Sequence, residues 1–135
     1  MVRAVIIEGN LSFRQELENI FHSRFPSIEL IVAANGRNAM EKIETFPPDL
    51  SLINMKLPGE DSLELARKIK SRHPNVIIII VSSYDLPEYR EAAYRNGADH
   101  FISKDSPIGD YFSLIKSILT DQALHKEGPN RGAES

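Results

Sequence analysis

Asn54 closes an apolar run, Asp49-Leu50-Ser51-Leu52-Ile53-Asn54, and Met55-Lys56-Leu57-Pro58-Gly59 follows it. A strand that delivers a polar side chain into a loop at its C-terminal end is the usual place for a site in an open α/β sheet. An aspartate there could accept a phosphoryl group. A carboxamide is neutral and a very poor nucleophile, so Asn54 cannot form an acyl phosphate. Other reactive side chains stand at the ends of similar runs: Glu8 with Gly9 and Asn10, Ser82 with Ser83, and Lys104. These groups can act together only if folding brings their strand ends to one edge.

The elements that would do so alternate along the chain. Val2 to Glu8 is a buried-strand pattern. Ser12, with Gln15 three residues on, predicts the N-cap of a first helix, and Phe13, Leu17, Ile20, Phe21 and Phe25 follow at helical spacing before Pro26. Ile28 to Ala33 is a second strand. Ala39, Met40, Ile43 and Phe46 mark a short helix ended by Pro47-Pro48, and Asp49 to Asn54 is the third strand. Leu63, Leu65, Ala66 and Ile69 give a third helix, stopped at His73-Pro74. Val76 to Val81 is all β-branched, which suits a strand covered on both faces. Pro87 begins a fourth helix with Gly97 at its C-terminal cap, Asp99 to Ser103 is a fifth strand, and Pro107 opens a fifth helix with Ile108, Phe112, Ile115 and Leu119 on its apolar side. Five such units with right-handed crossovers make one doubly wound parallel sheet with helices on both faces, an α/β fold.

Bulk composition fits one domain. The 135 residues are 41% apolar and 26% charged, ordinary for a globular protein. There is no cysteine, which removes disulfides and thiolate chemistry and fits a cytoplasmic chain. A net charge of −3 gives no reason to expect nucleic-acid binding, and the densest basic group, Arg67, Lys68, Lys70 and Arg72, reads as a solvated helix face. No run of apolar residues is long enough to span a membrane, and the N-terminus reads as a strand rather than a signal peptide. His22, His73, His100 and His125 share no metal-ligand spacing. Residues 2–124 are expected to form the domain. Residues 125–135 carry no apolar period and are expected to be a flexible tail or linker.

The strand-end set, Leu57-Pro58-Gly59, Ala34-Asn35-Gly36, Gly97-Ala98-Asp99 and Lys104 together resemble the receiver domain of two-component response regulators, over about residues 2 to 122. The resemblance implies a flavodoxin-like fold. It also implies two acids after the first strand that hold Mg²⁺ with an acceptor aspartate, a hydroxyl and a lysine that contact the phosphoryl group, and a switch aromatic three residues before the lysine. Carried over by position, Glu8 matches the first acid, Ser82 the hydroxyl, Lys104 the lysine and Phe101 the aromatic, without a hydroxyl of its own. Gly9 falls where the second acid belongs and Asn54 where the acceptor belongs, and Ser62 stands where the family commonly has glycine.

Only Glu8 and Lys104 keep their charges in this set, and they cancel, so Mg²⁺ would find too few carboxylates to replace its water. Lys104 is expected to reach Glu8 or the Asn54 oxygen. Glu60 and Asp61 are expected to serve the N-terminus of the third helix. No metal, no cofactor and no enzymatic reaction are expected. The implied function is an atypical receiver that acts by protein–protein interaction, its partner being a sensor kinase or an output protein. The face expected to carry it is the fourth helix, fifth strand and fifth helix, with Tyr84, Leu86, Tyr89, Phe101 and Tyr111, and a homodimer through it is a further expectation. The alternatives are a conventional phosphorelay receiver and a small-ligand-binding module of the same fold class. Glu8-Gly9-Asn10 holds a single glycine, which argues against a nucleotide loop.

Overall fold

A computed structural model describes the backbone of residues 2–134 and the side chains of residues 2–121. The strands are β1 (Arg3–Ile7), β2 (Glu29–Ala33), β3 (Leu50–Asn54), β4 (Ile77–Ser82) and β5 (His100–Ser103). They alternate with α1 (Leu11–Arg24), α2 (Gly36–Thr45), α3 (Ser62–Arg72), α4 (Pro87–Arg95) and α5 (Ile108–Glu134). All five strands pair in parallel in the order β2-β1-β3-β4-β5. The fold is the expected flavodoxin-like α/β sheet. Two compact units make up the chain, Met1–Asp105 with the whole sheet and Ser106–Ser135 with α5. The tail expected at 125–135 lies outside the residues whose side chains are described.

Alternation along the strands sorts side chains between the two faces. Val5, Ile7, Ile53, Ile78 and Ile80 meet Ala39 and Ile43 of α2, Leu65, Ala66 and Ile69 of α3, and Ala93 of α4. The other face carries Ala4, Ile6, Leu52 and Ile79, and α1, which contacts β1 and β2, buries Leu17, Ile20 and Phe21. Burying each such large side chain contributes roughly 1.5–3 kcal/mol, and the sheet interior is the most heavily buried part of the first unit. Ser51 interrupts the apolar set: it is fully buried in β3, and its hydroxyl has no hydrogen-bond partner among the described residues.

The chain turns where it changes direction across the sheet. β1 lies between β2 and β3, so the crossovers leave it to opposite sides and a crevice opens at the C-terminal ends of β1 and β3. Those ends carry Glu8 and Asn54.

The helix starts differ from expectation at two points. Asn10, not Ser12, caps α1: its Oδ1 accepts from the Phe13 N–H at 2.9 Å. The Asn10 N–H is itself held by Glu8 Oε2 at 2.9 Å, which fixes Asn10 in extended backbone and starts the helix at Leu11. Asp61 caps α3 as expected, accepting from the N–H groups of Leu63 and Glu64 at 3.1 Å. Glu60 does not serve that helix. Its two oxygens accept from the Gly36 N–H at 2.9 and 3.0 Å, at the start of α2. A Cβ on Gly36 would lie 2.5 Å from Glu60 Oε1, so glycine leaves room for this clamp.

Glu60 reaches α2 because the segment after β3 folds into a two-residue hairpin, Lys56–Leu57 against Glu60–Asp61. Gly59 turns it with φ +72°, a left-handed conformation that glycine adopts without strain. The Ser62 hydroxyl donates to the Met55 carbonyl and ties the end of this loop to its beginning.

The Gly97-Ala98-Asp99 motif is a structural knot. Gly97 ends α4 with φ +98°. Asp99 Oδ2 accepts from Lys70 Nζ at 2.7 Å and from the Ile78 N–H at 2.9 Å, and Lys70 Nζ also donates to the Val76 carbonyl at 2.6 Å. One carboxylate thus joins the last turn of α3 to the start of β4. Among the described residues of α5, Tyr111, Ile115 and Ile118 are buried, and Ile108, expected on the apolar side, is 63% exposed.

Candidate functional site

Glu8 leaves β1 buried, 2% exposed, and both of its oxygens have donors. Asn54 Nδ2 donates to Oε1 at 2.7 Å, and the Asn10 N–H donates to Oε2. The Glu8 carbonyl accepts from Arg14 Nη1 at 2.9 Å. Asn54, at the end of β3, is 7% exposed, and its Oδ1 accepts from the Lys56 N–H at 2.9 Å. Its orientation follows from its partners: a carboxylate can only accept, and a backbone N–H can only donate. An aspartate in the same rotamer would set one carboxylate against another.

The sequence-predicted residues Glu8, Gly9, Asn54 and Lys104 line one open cleft of about 330 Å³, together with Asn10, Lys56, Pro58 and Ser83. Asn54 supplies a donor to Glu8, beside the contact expected from Lys104 to Glu8 or to the Asn54 oxygen. The Lys104 ammonium stands 4.5 Å above the Phe13 ring, a favourable cation–π distance. Ser82, the position matched to the family hydroxyl, is turned into the loop before α4. Its Oγ donates to the Tyr84 carbonyl at 3.0 Å and accepts from the Tyr84 N–H at 3.1 Å. Ser83 lines the main cleft instead, and Ser82 lines a neighbouring cleft of about 250 Å³ with Met55, Lys56, Ser83, Tyr84 and Tyr89.

Lys56 is the site residue that sequence reasoning missed. The available signal was its place two residues after Asn54. With it, the lining includes two lysines, Lys56 and Lys104, and one carboxylate residue, Glu8.

A hard divalent cation needs several oxygen ligands, usually with more than one carboxylate. Here the one carboxylate has both oxygens engaged, Gly9 offers no side chain, the Asn54 oxygen is held by a backbone N–H, and the remaining charged residues of the lining, Lys56 and Lys104, are cationic. Among the described residues no group of three or more His, Cys, Asp or Glu side chains stands together. This donor set does not fit Mg²⁺.

Phe101 in β5 is buried at 7% exposure, and the Arg90 guanidinium lies 4.7 Å from its ring centre. Asp85 accepts from Arg90 Nη2 at 2.5 Å. That hydrogen bond raises the Arg90 pKa above its already high value, so the guanidinium stays charged over Phe101. Asp85 lies just before α4 and so reaches Arg90 on that helix. Tyr84, Leu86 and Tyr89 are 55%, 46% and 38% exposed beside it.

Comparison with known proteins agrees with this geometry. The sequence model of the response regulator receiver domain matches residues 4–116. The chain is 29% identical over 117 residues to the fimbriae Z protein of Salmonella typhimurium, covering 86% of this chain and 55% of that protein. It is 32% identical over 98 residues to the uncharacterized transcriptional regulatory protein YesN of Bacillus subtilis, covering 70% of this chain and 27% of that one. A protein-glutamate methylesterase/protein-glutamine glutaminase of Geobacillus kaustophilus is 30% identical over 132 residues, 38% of its length. The chain thus spans about half the length, or less, of these curated relatives. Among solved structures, a CheY-like receiver domain protein from Methanospirillum hungatei superposes with TM-score 0.83 at 26% identity, covering 93% of this chain and 98% of that one. A LuxR-family DNA-binding response regulator from Staphylococcus aureus superposes with TM-score 0.78 at 26% identity, covering 87% and 98%. By its matched sequence, its strand order and the residues at its strand ends, this chain belongs to the response regulator receiver domain family of two-component systems.

Proposed function

We propose that this receiver is an atypical one, which signals without aspartyl phosphorylation and acts through contact with other proteins in the cytoplasm. The observation that carries this reading is the hydrogen bond from Asn54 to Glu8. It uses the acceptor position as a donor and satisfies the remaining acid without a metal. The residue that would be phosphorylated is neutral, and the cation that would assist has no place to bind.

Phe101 supports a conformation set by sequence. It has no hydroxyl to draw it toward water, and it is buried under a paired Arg90. The exposed Tyr84, Leu86 and Tyr89 suit a protein partner, a sensor kinase or an output protein, because aromatic side chains are enriched at interfaces. Tyr111, expected among these contacts, is buried at 3% exposure and offers no such surface. Pairing with a second copy of the same chain is proposed as well. No catalytic role is assigned to any residue.

Thermal melting with MgCl₂ and beryllofluoride tests this. Ligands that bind only the native state raise the melting temperature. An unchanged Tm is expected. A rise that requires both metal and fluoride complex would show a working phosphoacceptor site and would overturn the proposal.

A further inference from the structure

The chain holds two Asn-Gly pairs, Asn35-Gly36 and Asn96-Gly97. Such pairs are chemically weak points, because glycine puts no side chain in the way of its own nitrogen. That nitrogen can attack the Cγ of the asparagine before it. The structure holds the two nitrogens differently. The Gly36 N–H faces both oxygens of Glu60, at 2.9 and 3.0 Å. Asn35, half-buried and in extended backbone, caps α2 through its Oδ1, which accepts from the Asn38 N–H at 2.9 Å. The Gly97 N–H meets a neutral acceptor instead, the Tyr94 carbonyl, at 3.2 Å. Asn96 Nδ2 donates to the Ala92 carbonyl at 2.8 Å. Of the two pairs, the first has a carboxylate on the nitrogen that would react.

We infer that Asn35 is a latent deamidation site and that the Glu60 carboxylate holds it closed. In the reaction the Gly36 nitrogen gives up its proton and bonds to Asn35 Cγ. The Cγ–Nδ2 bond breaks, ammonia leaves, and a cyclic imide remains. Water then opens the ring. Attack at Cγ restores the normal peptide bond and leaves aspartate at position 35. Attack at the main-chain carbonyl carbon leaves isoaspartate, with the chain running through the side-chain carbons.

Glu60 opposes the first step in two ways. It occupies the Gly36 N–H, and its charge disfavours a second negative charge on a nitrogen 2.9 Å away. A carboxylate is far too weak a base to take the amide proton itself. Glu60 is otherwise exposed, in the short hairpin after β3, so the clamp can open without disturbing the core. The two products differ in their effect on α2. Aspartate keeps a cap oxygen. Isoaspartate lengthens the main chain and displaces both the cap and Gly36. Release of the hairpin from α2 therefore opens the start of that helix to an irreversible change.

Peptide mapping by mass spectrometry after incubation at mildly alkaline pH tests this in the folded chain, with Asn96 as internal reference. Glu60→Ala should raise the deamidation rate of Asn35 about fivefold, the factor that matches a lost cap contact, and leave that of Asn96 unchanged. Glu60→Gln keeps an acceptor but no charge, and its rate should fall between the two. Gly36→Ala added to Glu60→Ala should return Asn35 to a slow rate, since a Cβ then shields the nitrogen. Melting curves check that each variant is folded, and Glu60→Gln decides alone where Glu60→Ala melts below the incubation temperature. Equal acceleration at Asn35 and Asn96 would mean general loosening and would overturn the inference. So would an Asn35 rate that both Glu60 substitutions leave unchanged, or a double variant that stays fast.

Discussion

Asn54 Nδ2 and Glu8 Oε1 lie 2.7 Å apart, and this contact joins the ends of the two strands that flank the crevice. It is a charge-assisted hydrogen bond between a buried amide and a buried carboxylate, the kind that contributes roughly 1.5–3 kcal/mol.

Asn54→Asp should therefore destabilise the protein by about 1–3 kcal/mol at neutral pH without metal. Two buried carboxylates would face each other, and one would favour its protonated form. The deficit should shrink as the pH falls through the range in which that carboxyl takes up a proton, because protonation restores a donor. Urea unfolding of both proteins at pH 7 and pH 5 checks the sign. Equal stability at both pH values would show that the two side chains do not face each other as described.

Restoring the missing acid together with the acceptor should restore metal binding. Gly9 has no left-handed φ, and an added Cβ would meet the Ala34 carbonyl and Pro58 Cδ at 3.5 Å, ordinary contact distances. Gly9→Ala is thus expected to be nearly neutral. The Gly9→Asp/Asn54→Asp double variant gains two carboxylates beside Glu8, and its melting temperature should rise with MgCl₂. A double variant that folds and ignores magnesium would mean that Lys56 and Lys104 control the cleft more strongly than the acids do.

Glu60 and Gly36 should be coupled. Gly36→Ala puts a Cβ 2.5 Å from Glu60 Oε1 and forces the carboxylate off the α2 start. Losing such a cap costs about 1 kcal/mol. Glu60→Ala should cost a similar amount alone, and the two changes together should cost clearly less than their sum. Additive effects in a double-mutant cycle would show that the clamp contributes nothing.

Ser51→Ala should leave stability unchanged or raise it by up to about 1 kcal/mol, because it removes a buried hydroxyl that has no partner among the described residues. A loss of more than about 1 kcal/mol, measured by chemical denaturation, would reveal a hydrogen bond to Ser51.

The sheet was legible because buried parallel strands leave continuous apolar runs such as Val76 to Val81, and because Pro87 and Gly97 mark the ends of α4. The make-up of the cleft was legible too, since Glu8, Gly9, Asn54 and Lys104 follow apolar strand runs and line one cleft. Partner choice was not. Asn10 rather than Ser12 caps α1 because of a contact from Glu8, and Glu60 reaches α2 rather than α3 because of a two-residue hairpin that leaves no periodic signal. Ser82 and Ser83 are neighbours of one type, and only the loop geometry decides which of them faces the main cleft. Lys56 escaped notice because a lysine after a strand reads as a surface charge; it is exposed and also lines the cleft.

The most direct test is intact-mass analysis of the protein after incubation with acetyl phosphate and magnesium. The expected spectrum shows only the unmodified chain. A stoichiometric mass gain of one phosphoryl group, labile to hydroxylamine as acyl phosphates are, would contradict the central claim.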